Sequence, residues 1–216
     1  AYCGKKVKIC ASHAGLTLGE DGATHQTLED IGLMKMLPGM VVINPCDYNQ
    51  TKAATIASAD YEGPVYLRFG RPTVPVFIPE DMPFEIGKGI LLQEGSDVTI
   101  VATGHLVWES LLAAEELEKE GISCEVINIH TIKPLDEEII LKSVEKTGKI
   151  VTAEEHNYLG GLGESVAGML ARKRPTRQEF VAVNDTFGES ATPAELMKKY
   201  KIDSTAVIEA VKKVLA

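Results

Sequence analysis

No run of apolar residues in this 216-residue chain approaches the roughly 20 that a bilayer-crossing helix needs, so a membrane protein is not expected. The N-terminal stretch AYCGKKVKIC lacks a long apolar segment and a cleavage site, so no secretory leader is expected there. Basic residues are in deficit, 22 against 31 acidic ones, for a net charge of -9. Nucleic acid and anionic membrane are poor partners for such a chain, because binding phosphate backbones needs a net basic face. The cysteines, Cys3, Cys10, Cys46 and Cys124, form no CxxC pair and no zinc-module spacing. They read as reduced, mostly buried thiols of a cytosolic protein. There is no short-period repeat and no low-complexity segment. What is present is a 44% hydrophobic content, enough to bury a core, in a length that suits one large domain or two of about 100 residues.

Short apolar runs alternate with helical patterns. Strands are predicted at 7–12 (buried), 40–44 and 65–69. Helices are predicted at 24–37, starting near Asp21 or Thr24 and stopped by Pro38-Gly39, and at 48–59, capped by Asp47 with Gln50 completing a capping box. Strand–helix–strand order implies parallel pairing through right-handed crossovers. Pro72, Pro75, Pro79 and Pro83 then crowd one stretch. Proline fixes φ and cannot donate to a ladder, so residues 71–86 are predicted to be an extended linker. The rhythm restarts with strands at 88–93, 97–103, 124–129, 149–154 and 179–183. Helices are predicted at 106–119, at 137–147 between Asp136 and Gly148, at 164–172, after a Thr192–Glu195 capping box, and at 204–215. The fold class is therefore α/β: a first unit over 1–70, the linker, and a five-stranded, mainly parallel unit over 87–216. Three parallel strands and two helices cannot cover both faces of a sheet. Residues 1–70 are expected to be the second half of a larger sheet, completed upstream or by another chain.

Chemistry concentrates in SHAGLTLGEDGATHQ (12–26), between a strand end and a helix start. Open α/β sheets bind ligands at the carboxyl ends of their strands, and glycine lets a backbone approach a ligand closely. His13 and His25 can move protons near neutrality, and Asp21 can accept a hydroxyl hydrogen. The two histidines are 12 residues apart with no supporting ligand pattern, so no metal site is expected. Arg68 and Arg71, two of only five arginines, end the third strand, where a guanidinium fork could hold a phosphate. Glu154-Glu155-His156 with GGLG (160–163) fails the dinucleotide fingerprint at Val166 and reads as a tight turn into a helix. His105 and His130 read as strand-end or core residues, and Trp108 as core.

These strings, followed in order by VYLRFGRP, INIHTIKPLD, TAEEHNYLGGLGESVA and DTFGESATPAELMKKY, resemble the C-terminal section of transketolase over essentially the whole chain. Ala23 stands where many members have proline. The resemblance implies the later part of a thiamine-diphosphate-binding pyrimidine domain followed by the transketolase C-terminal domain, the latter structural or regulatory. It implies transfer of a two-carbon ketol unit between sugar phosphates in the pentose phosphate pathway, with thiamine diphosphate and Mg. By it, His13 and His25 lie at the reacting carbons, Asp21 recognises a substrate hydroxyl, and Arg68 or Arg71 grips the sugar phosphate. The glutamate that activates the cofactor, the aromatics that stack on it and the GDG…N metal–diphosphate motif are absent from the sequence. The cofactor-binding residues are thus expected upstream of Ala1 or on a partner N-terminal section. The chain alone would be inactive, cytoplasmic, and part of a homo- or hetero-oligomer such as a dimer. Competing readings are deoxyxylulose-phosphate synthase (whose loop reads ADG-x-THH), a 2-oxoacid dehydrogenase beta subunit, and a non-catalytic interaction module.

Overall fold

The computed structural model describes residues 1–216, arranged around two sheets. The first sheet is built from β1 (Lys8–Ala11), β2 (Val41–Ile43) and β3 (Val65–Arg68), with helices α1 (Asp30–Lys35) and α2 (Tyr48–Asp60) in the crossovers. β3 lies in the middle and pairs in parallel with β1 and β2. The second sheet contains β4 (Ile90–Gln93), β5 (Val98–Ala102), β6 (Cys124–Asn128), β8 (Lys149–Asn157) and β9 (Arg177–Val183), in the order β4-β6-β5-β8-β9. All its pairings are parallel except that of β4 with β6. Helices α3 (Leu106–Lys119), α4 (Glu137–Thr147), α5 (Leu162–Lys173), α6 (Pro193–Lys199) and α7 (Ser204–Leu215) belong to this part.

Local chemistry sets most boundaries. Asp136 accepts from Ile139 N at the start of α4, and Gly148 ends it in the left-handed region at φ 70. Thr192 and Glu195 form the expected reciprocal box at α6. Asp47 caps α2 through Gln50 N at 2.8 Å. The Gln50 side chain does not close the box: its Oε1 accepts from Cys46 N at 3.0 Å and from Asn128 Nδ2 at 3.1 Å.

Three of these expectations are corrected, and one strand is new. Residues 24–29 are not helical, because Thr27 exchanges backbone hydrogen bonds with Gly15 and the Gln26 side chain is drawn away to Leu16 O and Glu189 O. Helix α1 therefore begins only at Asp30. The first strand is not buried: β1 is the sheet edge, with Ile9 39% exposed. A short strand unseen in the sequence, β7 (Thr131–Lys133), leaves the second part and pairs antiparallel with β2. Of the cysteines, Cys46 and Cys124 are buried, while Cys3 and Cys10 are exposed.

No helix or strand occupies the proline-rich stretch between β3 and β4, as its composition requires. It is nonetheless docked. Asp47 Oδ2 accepts from Phe77 N at 2.9 Å and Ile78 N at 2.8 Å, Ile78 is buried in the main core, and Phe77 stacks on the partly buried Trp108. That core also takes in Leu16, Leu28 and Cys46 from the first part, so apolar packing runs unbroken across the junction of the two sheets.

Candidate functional site

The chain from the end of β1 to α1 makes a loop closed at its base by Gly15 N to Thr27 O at 2.9 Å. The loop turns back on itself through left-handed residues, among them His13 at φ 67 and Gly15 at φ 81. Gly15 is required twice over, since a Cβ there would also overlap the Glu155 carboxylate. Leu16 and Leu18 point inward and are buried, which turns the polar residues between them and α1 outward.

The two loop histidines share a local arrangement. His13 Nδ1 is 2.8 Å from Ser12 Oγ, and His25 Nδ1 is 3.0 Å from Thr24 Oγ1. Each ring is exposed, with Nε2 left without a protein partner. Asp21 meets Arg71: Nη1 donates to Asp21 Oδ2 at 2.6 Å and reaches Leu18 O at 3.4 Å, with the side chains 50% and 49% exposed.

Arg68 is placed differently. It is 2% exposed; Nε donates to Asp30 Oδ2 at 2.8 Å, and Nη2 donates to Glu155 O at 2.9 Å and Thr27 O at 3.3 Å. Tyr66 also donates to Asp30 Oδ2 at 2.8 Å. Burial pushes the Asp30 carboxyl up, but the Arg68 charge and these bonds outweigh it and hold it below the usual carboxylate range. Burial and the Asp30 charge push the Tyr66 hydroxyl up. The structure therefore joins Asp21 with Arg71 at the surface and keeps Arg68 inside.

A cleft of about 460 Å³ opens where the carboxyl ends of β2, β3 and β8 and the start of α3 converge. Ala14, Thr17, Cys46, Arg68, His105 and Glu155 line it. His13, Asp21, His25 and Arg71 do not. Glu155 Oε1 accepts from Thr17 N at 2.6 Å, and Oε2 lies 3.7 Å from His105 Nδ1. Burial disfavours both charges; the pairing overcomes it, lowering the Glu155 carboxyl and raising the His105 imidazole. The neighbouring Glu154 accepts from Leu162 N at 2.7 Å and Gly163 N at 2.8 Å at the start of α5, but burial dominates and lifts its carboxyl to about 7. The reading of this segment as a tight turn into a helix misses Glu155. The signal lay in two consecutive carboxylates inside a strand that is buried along nearly its whole length, where a charge needs a dedicated partner. No helix is long and apolar enough to cross a membrane.

Residues 1–76 match the transketolase pyrimidine binding domain, and residues 87–207 match the transketolase C-terminal domain. The chain is 46% identical over 210 residues to a putative transketolase C-terminal section of Methanocaldococcus jannaschii, covering 96% of this chain and 66% of that protein. It is 43% identical over 210 residues to the 6-deoxy-6-sulfo-D-fructose transketolase subunit SqwH of a Clostridium strain, covering 97% and 65%. A solved split-gene transketolase, an inactive beta4 tetramer, superposes with a TM-score of 0.94 at 46% identity, over 100% of this chain and 69% of that one. The chain thus spans just under two thirds of the curated relatives' length. It belongs to the transketolase family, as a C-terminal section in which the pyrimidine-binding and C-terminal domains follow one another.

Proposed function

We propose that this chain is the substrate-binding section of a two-part transketolase, transferring a two-carbon ketol unit between sugar phosphates in the pentose phosphate pathway. The observation that carries the reading is the surface pairing of Asp21 with Arg71 on the loop that also presents the His13 and His25 Nε2 atoms. These are the group types such a transfer needs: proton donors and acceptors at a carbonyl, an acceptor for a sugar hydroxyl, and a cation for a phosphate. In this reading His25 holds or moves a proton at the sugar's reacting oxygen and His13 supports the same centre. Asp21 selects the hydroxyl. Arg71 takes the phosphate with Nε and Nη2, which no protein group occupies. Arg68, committed to Asp30, Thr27 and Glu155, is assigned no phosphate.

The family's cofactor is thiamine diphosphate with a divalent metal, here Mg. The chain offers no group of three or more His, Cys, Asp or Glu residues able to hold a metal ion. Its residues do not fit the metal–diphosphate site, and no step is assigned to that group here. The domain boundaries follow the same logic: 1–70 is the later half of the pyrimidine-binding domain, 71–86 the linker and 87–216 the C-terminal domain. The unpaired edge of β1 supports completion of the first sheet by an N-terminal section, in a cytoplasmic hetero-oligomer.

The test is reconstitution. The chain is mixed with an N-terminal transketolase section, thiamine diphosphate and magnesium, and assayed for ketol transfer from xylulose 5-phosphate to ribose 5-phosphate. Transfer is expected only when both sections are present. Pyruvate-dependent activity in its place identifies a 2-oxoacid dehydrogenase subunit, and no activity with any partner identifies an interaction module.

A further inference from the structure

The loop that carries His13, Asp21 and His25 is a long excursion with only one backbone bridge across its base. A segment of this kind holds several side chains in reacting geometry only if something beyond its own hydrogen bonds fixes it. From outside the second part of the chain, Arg71 holds Asp21 and Leu18 O and Arg68 holds Thr27 O; the second part adds further attachments beside the residues of interest.

At the base, Glu155 of β8 accepts from Thr17 N and fills the space that a side chain at position 15 would need. At the far end, Gln26, adjacent to His25, donates from Nε2 to Glu189 O at 2.9 Å and to Leu16 O at 3.1 Å, tying the loop both to the 184–192 segment and to itself. Gly188 is bare at this point, and a Cβ there would overlap the Gln26 amide. In the middle, Ser190 Oγ donates to the carbonyl of Glu20, adjacent to Asp21. A Cβ at Gly19 would press on Pro193 at 3.3 Å, and one at Gly22 would meet Ser190 at 3.4 Å. Beyond the loop, Asn157 N donates to Leu28 O at 2.9 Å.

We propose that the C-terminal domain is the positioning half of the substrate site, with Glu155 and Ser190 of that domain, and the loop's own Gln26 bonded to that domain's Glu189 carbonyl, as the positioning residues that fix the backbone on either side of Asp21 and His25. This rests on the functional reading above and deepens it. None of the three is assigned a contact with the sugar. Their effect is to remove alternative loop conformations, so that the imidazole and carboxylate are already placed when a sugar arrives. The domain otherwise holds no residue assigned to the chemistry, and this gives it a function in the reaction.

The experiment has two arms that fail independently. The first is amide hydrogen exchange on this chain, which needs no activity. Gln26→Leu deletes both side-chain bonds, and Glu155→Ala deletes the acceptor of Thr17 N. Each is expected to accelerate exchange within residues 15–26 by roughly tenfold or more, the scale of one or two hydrogen bonds, while β8 and β9 keep their rates. Glu155→Gln, which retains an acceptor oxygen, should fall between wild type and Glu155→Ala. Should Glu155→Ala not fold, the exposed Ser190→Ala takes its place: it should speed exchange at 19–22, and Ser190→Thr should restore it. The second arm is kinetics of the reconstituted enzyme. Gln26→Leu should lower kcat by roughly 10- to 100-fold, as a small misplacement of reacting groups does, with the KM for the sugar phosphate changed much less.

Exchange that stays unchanged in the loop, or that rises equally throughout the chain, overturns the proposal. So does a variant that loosens the loop yet keeps both kcat and KM at wild-type values. If the wild-type complex shows no ketol transfer at all, the functional reading falls, and the exchange arm still decides whether the C-terminal domain clamps the loop.

Discussion

Arg68 and Arg71 lie three residues apart, and their surroundings divide the work between them. Arg68 is the cationic centre of a buried cluster with Asp30, Tyr66 and the Glu155 carbonyl. Removing one member of such a pair leaves an uncompensated charge in the interior, which typically costs about 3–5 kcal/mol. Arg68→Ala should therefore lower the thermal midpoint by several degrees and reduce soluble yield. A melting curve indistinguishable from wild type would show that Asp30 has another means of compensation. The Arg71–Asp21 pair is half exposed, and surface pairs contribute about 0–1 kcal/mol. Arg71→Ala should leave the melt nearly unchanged and raise the KM for phosphorylated substrates about tenfold or more, with little effect on unphosphorylated analogues. An equal rise for both assigns Arg71 no phosphate. His25→Ala should cut turnover about 10²-fold, the scale of a general acid–base group, and normal turnover in the reconstituted enzyme would remove it from the chemistry. The sequence placed both arginines at a strand's carboxyl end. It could not assign them, because β3 is buried on both faces and alternation carries no information there.

Among the elements, α2 shows how one capping residue can organise more than its own helix. Asp47 uses one carboxylate oxygen as the N-cap and the other to accept from two linker amides. Asp47→Ala loses a cap worth about 1 kcal/mol and leaves Phe77 and Ile78 N–H groups unpaired at about 1–3 kcal/mol each. The expected results are a lower unfolding midpoint and faster proteolytic nicking within 71–86. Nicking at the wild-type rate would mean that the linker is held by Ile78 packing alone. Elements with local signals were legible: the Asp136–Gly148 helix, the Thr192 box and the proline-rich linker follow from chemistry within a few residues. What was not legible depends on distant partners. Residues 24–29 have a helical pattern, yet Gln26 is held by Glu189, 163 positions away. Strand β7 is only three residues long and exists because β2 offers it an edge. β1 has the composition of a buried strand but lies at the rim. At the candidate site, the loop residues could be picked out from composition, whereas the Glu155–Thr17 contact joins positions 138 apart and has no local trace.

Across the whole molecule, two fully buried histidines lie at the junction of the sheets. The His130 carbonyl accepts from Asn44 N at 2.8 Å, and its ring stacks on Phe84 of the linker at 4.2 Å. His156 Nε2 faces Gly32 N at 3.5 Å, while its Nδ1 is 2.7 Å from Asn157 O, an arrangement that suits a neutral ring. Burial lowers both imidazoles to about 4, with the Arg68 charge adding to the effect at His156. An unfolded histidine takes its proton near 6.5, so each contributes stability above that pH that is lost as pH falls toward 4. Glu154 acts in the opposite sense. Its carboxyl, raised by burial to about 7, keeps a proton in the fold that the unfolded chain releases near 4.5. Between pH 6.5 and 4.5 the unfolded chain therefore binds two more protons at the histidines and one fewer at Glu154, a net uptake of one. His105, whose imidazole is raised, changes charge above this window, and the lowered carboxyls of Asp30 and Glu155 change below it. The free energy of unfolding should fall by about 1.4 kcal/mol per pH unit across the window, and His156→Gln should flatten the slope. Urea titrations at pH 6.5, 5.5 and 4.5 measure it directly. Because the core is continuous across the junction, the loss should appear as one cooperative transition, with loop 12–26 released together with the sheets. Stability that holds level or rises on acidification would mean that the two histidines take up protons without unfolding, and an early separate transition of residues 1–70 would mean that the two sheets are joined less tightly than their shared packing implies.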